Sequence, residues 1–467
     1  MLKIESAVRR WACCLTPAAV GWVLLGELVM KRRRFLKIAA VAVTMGRSPW
    51  AVAGPGAVKP FRLSRSGCGR ATGYAETNKI VTWQGRTHVA WLDSTDEGFR
   101  VRVRTLERAI GEWSRVCTVG EAVDNHGGPA LAVDSRGVLH VVYYPHHHRF
   151  RYRRSARPND ASQWEPEIEF GQRCTYPTLV CGPDDVLYLT CRRSFPKEPW
   201  QVELWKKRPD GPWEGPQVLA RARYPGYSHF QESLVWGADH KRLHFCCRFH
   251  EKTDSRAYGR IQTVGYMWSD DFGASWFRAD GSAIPLPATA ETIDVLATGG
   301  VDAGRVLRCG AMGVDGRGRP RVLYSVTEGT RSETILAVAA NGVWRGQSLS
   351  AFLPDEFRGW QLAMPGGISF NADGRMFIAA TIQRLEEGEE SWGHASSEVV
   401  QLTSTEGGGF AFQLLSPLDP HTAHWLPNIE RPTGHNRVPA RPGVIYTAGP
   451  PGQANTDILA NEVYWVG

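Results

Sequence analysis

Although this 467-residue chain has ten cysteines, none of them forms a C-x-x-C pair, so no metal-binding pair of that type is available. It also lacks a glycine-rich phosphate loop, a series of amphipathic helices and an alternating strand–helix pattern, which leaves no competitor to an all-β reading. Long apolar runs are missing as well. Residues 11 to 30 come nearest, but Pro17, Gly21, Gly26 and Glu27 interrupt them, so they are not read as a membrane span. Excess charge is the last absence. The formal net charge is +8, yet residues 1 to 53 hold nine basic and two acidic side chains and carry +7 of it. The remainder is nearly neutral, and no nucleic-acid partner follows from the overall basicity.

That basic N-terminal stretch has its own explanation. Arg32, Arg33 and Arg34 precede Phe35-Leu36-Lys37, an apolar run begins at Ile38, and Ala51-Val52-Ala53 offers small residues at cleavage spacing. A basic head, apolar middle and Ala-x-Ala end make an export signal of the twin-arginine type. Met30 sits where such a signal would begin, so residues 1 to 29 read as an upstream extension. The expected division is residues 1–53 as extension and signal and 54–467 as one domain, periplasmic or secreted, with no stable membrane insertion after cleavage. Eight cysteines remain after cleavage and are expected to be reduced, because twin-arginine substrates fold before export and a chain of this size does not need disulfides.

What the chain does contain is repetition. Turn-then-strand units recur as GRTHVAW from Gly85, GVLHVVY from Gly137, DVLYLTC from Asp185, KRLHFCC from Lys241, GRPRVLY from Gly318, GRMFIAA from Gly374 and GVIYTAG from Gly443. The widest interval contains SDDFGASW at 269–276, an Asp box. Apolar strands such as PALAVD, PTLVCG and ESLVWG precede the units. Units of roughly fifty residues that cannot bury their own sheet faces are the signature of a propeller. The expectation is an all-β fold, a seven-bladed β-propeller.

The repeat sorts the histidines. His88, His140 and His244 share one slot of their units, where others place Tyr188, Arg321, Phe377 and Tyr446; a repeated slot belongs to the scaffold. His126 and His146 fall outside it, just before one strand and just after its antiparallel partner, so both lie on one rim. In the next two units Tyr176 and then Tyr227 and His229 hold the first of these positions. Arg192 and Arg193, then Arg248 and His250, hold the second. Histidine, tyrosine and arginine on one rim sector suit acid/base chemistry on an anionic substrate. His126, His146, Tyr176 and Tyr227 are the candidate catalytic residues, and Arg192, Arg193, His229 and Arg248 the candidate substrate-binding ones. His147 and His148 read as exposed loop residues. No cofactor is fixed; a structural or substrate-bridging divalent metal stays open, and the His-rich run 146–148 is not diagnostic for one.

The blade DNHGGPALAVDSRGVLHVVYYPHH, followed by FRYRRSARPND, resembles the hallmark blade of the BNR-repeat propellers that include the ulvan lyases. The resemblance implies catalytic histidines at His126 and near His146, with nearby tyrosines and arginines completing the acid/base set and neutralising a uronate carboxylate. One departure stands out: Cys191-Arg192 occupies the place of the family's Tyr-Arg, so the catalytic tyrosine becomes Tyr176, Tyr224 or Tyr227, or the reaction differs. The leading expectation is a lyase that cleaves an acidic polysaccharide by β-elimination. The alternatives are a rhamnosidase- or sialidase-like hydrolase on the same scaffold, which would need paired carboxylates that this rim shows few of, and a non-catalytic glycan-binding propeller.

Overall fold

In the computed structural model, described for residues 59–251, 259–384, 393–452 and 458–467, nearly all regular structure is antiparallel β. The export-signal motif lies outside the described residues. Three short 3-10 turns, Val301–Ala303, Ser350–Phe352 and Asp355–Phe357, are the helical elements among those described.

Each repeat unit supplies the second strand of a meander. Ala130–Val133 pairs with Leu139–Tyr143, which pairs with His148–Arg157, which pairs with the first half of Ile168–Cys181. The second half of that long strand opens the next meander through Leu187–Arg193, Pro199–Lys207 and Trp213–Pro225. Ser233–Trp236, Leu243–Glu251 and Ile261–Ser269 follow in the same manner. The tight turns are specified locally. Asp134 accepts from the backbone N–H of Arg136 and Val138, and Asp315 from those of Arg317 and Arg319, with Gly137 and Gly318 at positive φ. In the Asp box, Asp271 accepts from Ser269 Oγ and the Ser275 N–H, and Trp276 folds back to donate to Gly273 O.

Apolar side chains are buried between meanders rather than within them. Val142 and Phe150 pack with Leu179 and Leu189 of the next meander; Val180 and Leu204 pack with Phe230 and Phe245 of the one after. Val264 meets Leu307 and Val322, Leu323 meets Ile368, and Phe377 meets Ile429 and Tyr446. Ile445, Val463 and Trp465 then share a cluster with Trp91 and Val101 from the start of the chain. Burial of one such side chain is worth ~1.5–3 kcal/mol, and none of it is available to a unit alone. The ends also pair directly: Phe61–Gly67 lies antiparallel to Asn461–Val466, the sequence-distant strand.

The shared histidine slot is structural, as the repeat indicated. His88 hydrogen-bonds Thr105 Oγ1, His140 the Tyr152 hydroxyl and His244 the Tyr266 hydroxyl, each on the neighbouring strand.

Candidate active site

Ala130 lies opposite Val142, so the segment before one strand and the segment after the other meet at one end of the hairpin. His126 and His146 come from those segments, and their rings stack with centroids 3.7 Å apart. Asp124 fixes both. His126 Nδ1 donates to Asp124 Oδ1 at 2.9 Å and His146 Nδ1 to Oδ2 at 2.6 Å. With both Nδ1 atoms occupied, each ring turns Nε2 away from Asp124 as an acceptor. Burial, followed by the neighbouring Arg70 charge, outweighs the Asp124 hydrogen bond and lowers His126 to about 4, so it is neutral near pH 7. The two imidazoles hold the Asp124 carboxyl well below its ordinary range, against the opposing effect of burial.

Tyr176 stands 6.1 Å from the His126 ring. A bulge between Thr175 and Thr178 interrupts the pairing with Leu187–Arg193, and Tyr176 sits in it at φ 59°, a left-handed backbone uncommon for a bulky residue. Its ring meets Tyr74 at 4.7 Å and His229 at 4.8 Å, both edge-on. Burial raises the Tyr176 and Tyr74 hydroxyls above the usual phenol value, so both are protonated. Beside them, His147 touches Trp200, and Trp200 packs on Tyr227, which faces His250.

The arginines divide by depth. Arg192 is fully buried, with its guanidinium 4.5 Å from the Tyr176 ring centre, 4.8 Å from Trp200 and 5.7 Å from Tyr227. Among the described residues, none of its three nitrogens has a hydrogen-bond acceptor. A caged cation of this kind creates a strong local field and draws in any acceptor that can reach it. Arg248 is also buried; it donates to Leu307 O and to His229 Nδ1, and burial with this neighbour keeps His229 neutral. Arg193 points to the other face of its strand and pairs with buried Glu203 at 3.0 Å. Arg70 is the half-buried arginine of the group, and it donates to the Tyr74 hydroxyl.

Of the residues read from sequence, His126, His146, Tyr176, Tyr227, His229, Arg192 and Arg248 therefore come together, and Arg193 does not. Arg192 lies under the aromatic side chains, and Arg248 is buried against His229 and the Leu307 carbonyl. Tyr224 is exposed and takes no part in these ring contacts. His147 is corrected: φ 60° turns it inward, where its Nδ1 meets Ser194 Oγ at 2.7 Å. Asp124, Arg70, Tyr74 and Trp200 were missed. Asp124 had a signal, since a carboxylate two residues before a histidine readily caps its backbone, as it does here. Asp124, His126 and His146 also form a set able to hold a metal, although Asp124 already occupies both Nδ1 atoms.

Residues 86–351, more than half of the chain, match the model of the BNR repeat-containing family. The chain belongs to that family. Among curated proteins, this BNR-repeat chain is 21% identical over 267 residues to an ulvan lyase of Nonlabens ulvanivorans; the match covers 49% of this chain and 55% of that enzyme. The chain thus spans about half the length of that curated relative. A family PL25 ulvan lyase solved bound to -[GlcA(1-4)Rha3S]- superposes with a TM-score of 0.67 at 14% identity, covering 88% of this chain and 96% of the other. The polysaccharide lyase Uly1 gives a TM-score of 0.56 at 14% identity, covering 87% and 97%. Identity this low establishes a shared fold.

Proposed function

We propose that this BNR-repeat protein is a polysaccharide lyase that cleaves a uronic-acid-containing polysaccharide by β-elimination. The observation that carries the reading is the Asp124-bridged pair His126 and His146, set beside protonated phenols and a group of arginines. Asp124, the carboxylate in contact with this pair, is committed to both imidazoles. It is therefore not available as the acid or nucleophile of a two-carboxylate hydrolase.

The chemistry follows from the residue types. Arg70, with Arg192 and Arg248 beneath, offsets the uronate carboxylate and makes the C5 proton acidic. An Nε2 of the His126–His146 pair accepts that proton, and Asp124 stabilises the imidazolium that forms. The C5 electron pair becomes the C4–C5 double bond as the C4–O4 bond breaks. Tyr74 or Tyr227, the half-buried phenols of the group, supplies the proton to O4; Tyr176 packs edge-on against Tyr74, and Trp200 packs against Tyr227. The relatives named as ulvan lyases make a glucuronate–rhamnose polymer the first substrate to test.

The meanders form the seven blades of a propeller, closed by the pairing of Phe61–Gly67 with Asn461–Val466. The chain is exported by the twin-arginine signal, after which residues 54–467 act as one domain. Replacing Arg32 and Arg33 with lysine should hold the protein in the cytoplasm; normal export of that variant would overturn the assignment.

A panel of uronic-acid polysaccharides tests the activity. Ultraviolet absorbance from a conjugated unsaturated uronate should rise with the wild type and stay flat with His126→Ala. Binding without any absorbance, across the whole panel, would make this a glycan-binding protein instead.

A further inference from the structure

We propose that Cys181, Asp185 and His435 form a second site, one that binds a divalent transition-metal ion of the zinc class. It lies at the turn end of the hairpin whose other end carries Tyr176 and Arg192, five residues or about 17 Å of strand away.

Three chemically distinct metal-ligand types converge there. A ligating atom from each of the three residues lies within 4.8 Å of the other two. His435 Nε2 and Asp185 Oδ1 are 3.4 Å apart, long for a hydrogen bond. That is close to the ~3.3 Å edge of a tetrahedron built on the ~2.0 Å bonds zinc makes to nitrogen and oxygen. The ligands arrive on separate parts of the chain. Cys181 ends a strand, Asp185 sits in the following turn, and His435 belongs to the loop after the strand Ala423–Ile429.

The loop carrying His435 is held in place independently of any ion. Cys181 N–H donates to Thr433 O at 2.7 Å, and Thr433 N–H donates to Asn436 Oδ1. Gly434 is at φ 144°, and a Cβ there would come within 2.7 Å of Cys181 Cβ, so only glycine lets the loop approach the thiol. Asp185 is oriented from behind by the Ser135 N–H and hydroxyl. Outer-shell bonds of this kind are what a metal-binding carboxylate requires.

On binding a dication the Cys181 S–H bond breaks, the proton goes to solvent, and sulfur donates its electron pair to the metal. His435 gives up its contact with Gly182 O, 3.1 Å from Nε2, to present that nitrogen. Water fills the fourth position beside His240, whose ring lies 5.2 Å from His435 and whose Nε2 meets Gly434 O at 3.2 Å. The ion would clasp the closing loop to the hairpin 174–193.

Zinc ion alone, titrated into the chelator-stripped full-length protein, tests this by calorimetry, with cobalt as a spectroscopic probe. One equivalent should bind at this site, raise Tm and, as cobalt, give a thiolate charge-transfer band. Cys181→Ser and His435→Ala should each weaken binding at least 100-fold, and His240→Ala about tenfold. His146→Ala should leave this binding unchanged, which separates the site from the Asp124–His126–His146 cluster. Folding of each variant is checked by circular dichroism. The proposal fails if no zinc binds, if the wild-type cobalt form lacks the thiolate band, or if His146→Ala abolishes binding while Cys181→Ser retains it.

Discussion

Asp124→Asn changes one charge and almost no volume, and the geometry specifies its consequence. The carboxylate accepts two Nδ1 protons, at 2.9 and 2.6 Å. An amide has one carbonyl oxygen and one NH2, so one imidazole meets a donor and must move its proton to Nε2. That ring can then no longer accept a proton from substrate, and the imidazolium formed in the reaction loses its counter-charge. Loss of positioned acid/base catalysis costs about 10²–10⁴ in rate. The fold loses less, since charge-assisted hydrogen bonds are worth ~1.5–3 kcal/mol each and the amide keeps one of the two contacts. Initial rates of unsaturated-uronate formation should therefore show kcat reduced at least about 100-fold, with KM within a few fold. Tm, followed by circular dichroism, should shift by only a few degrees. A kcat within about threefold of the wild type would refute the role given to Asp124. So would a rate loss that merely tracks unfolding.

Three other substitutions separate scaffold from chemistry. His140→Ala removes a buried ring that hydrogen-bonds the Tyr152 hydroxyl and lies 3.5 Å from Asp134, and should cost about 2 kcal/mol in urea unfolding while turnover per folded molecule is kept. Arg192→Met removes a buried cation that has no acceptor among the described residues, so stability should hold or rise while kcat/KM falls at least about tenfold; an unstable variant or an unimpaired one contradicts the field assigned to it. His88 is held down to about 4 by burial, against 6.5 in the unfolded chain. Its contribution is complete above the unfolded value and is lost as pH falls toward the folded one. From pH 7 to pH 5 the wild type should lose about 2 kcal/mol relative to His88→Gln, and a pH-independent difference would rule this out.

The meeting of His126 and His146 was legible because antiparallel pairing alone brings the two flanks of a hairpin together, whatever the rest of the fold does. The scaffold role of His88, His140 and His244 was legible from the repeat for the same local reason. Depth was not. Alternation along a strand says that Arg192 and Arg193 face opposite ways, but not which one faces the aromatic group or that it is sealed beneath it. Tyr74 and Arg70 were invisible because they sit between the strand Phe61–Gly67, which pairs with the far end of the chain, and the first repeat unit. No periodicity marks them. His147 was misread because a run of three histidines resembles a solvated loop, and only its positive φ turns it toward Ser194 and Trp200.

Cleavage in oxygen-18 water tests the central claim most directly. The purified protein is incubated with a glucuronate–rhamnose polysaccharide, and the new chain ends are analysed by mass spectrometry. Elimination takes no oxygen from solvent, so fragments should carry an unsaturated uronate at one end and no heavy oxygen at the freshly released sugar. Heavy oxygen there, with a saturated uronate at the other end, would show hydrolysis and contradict the β-elimination mechanism.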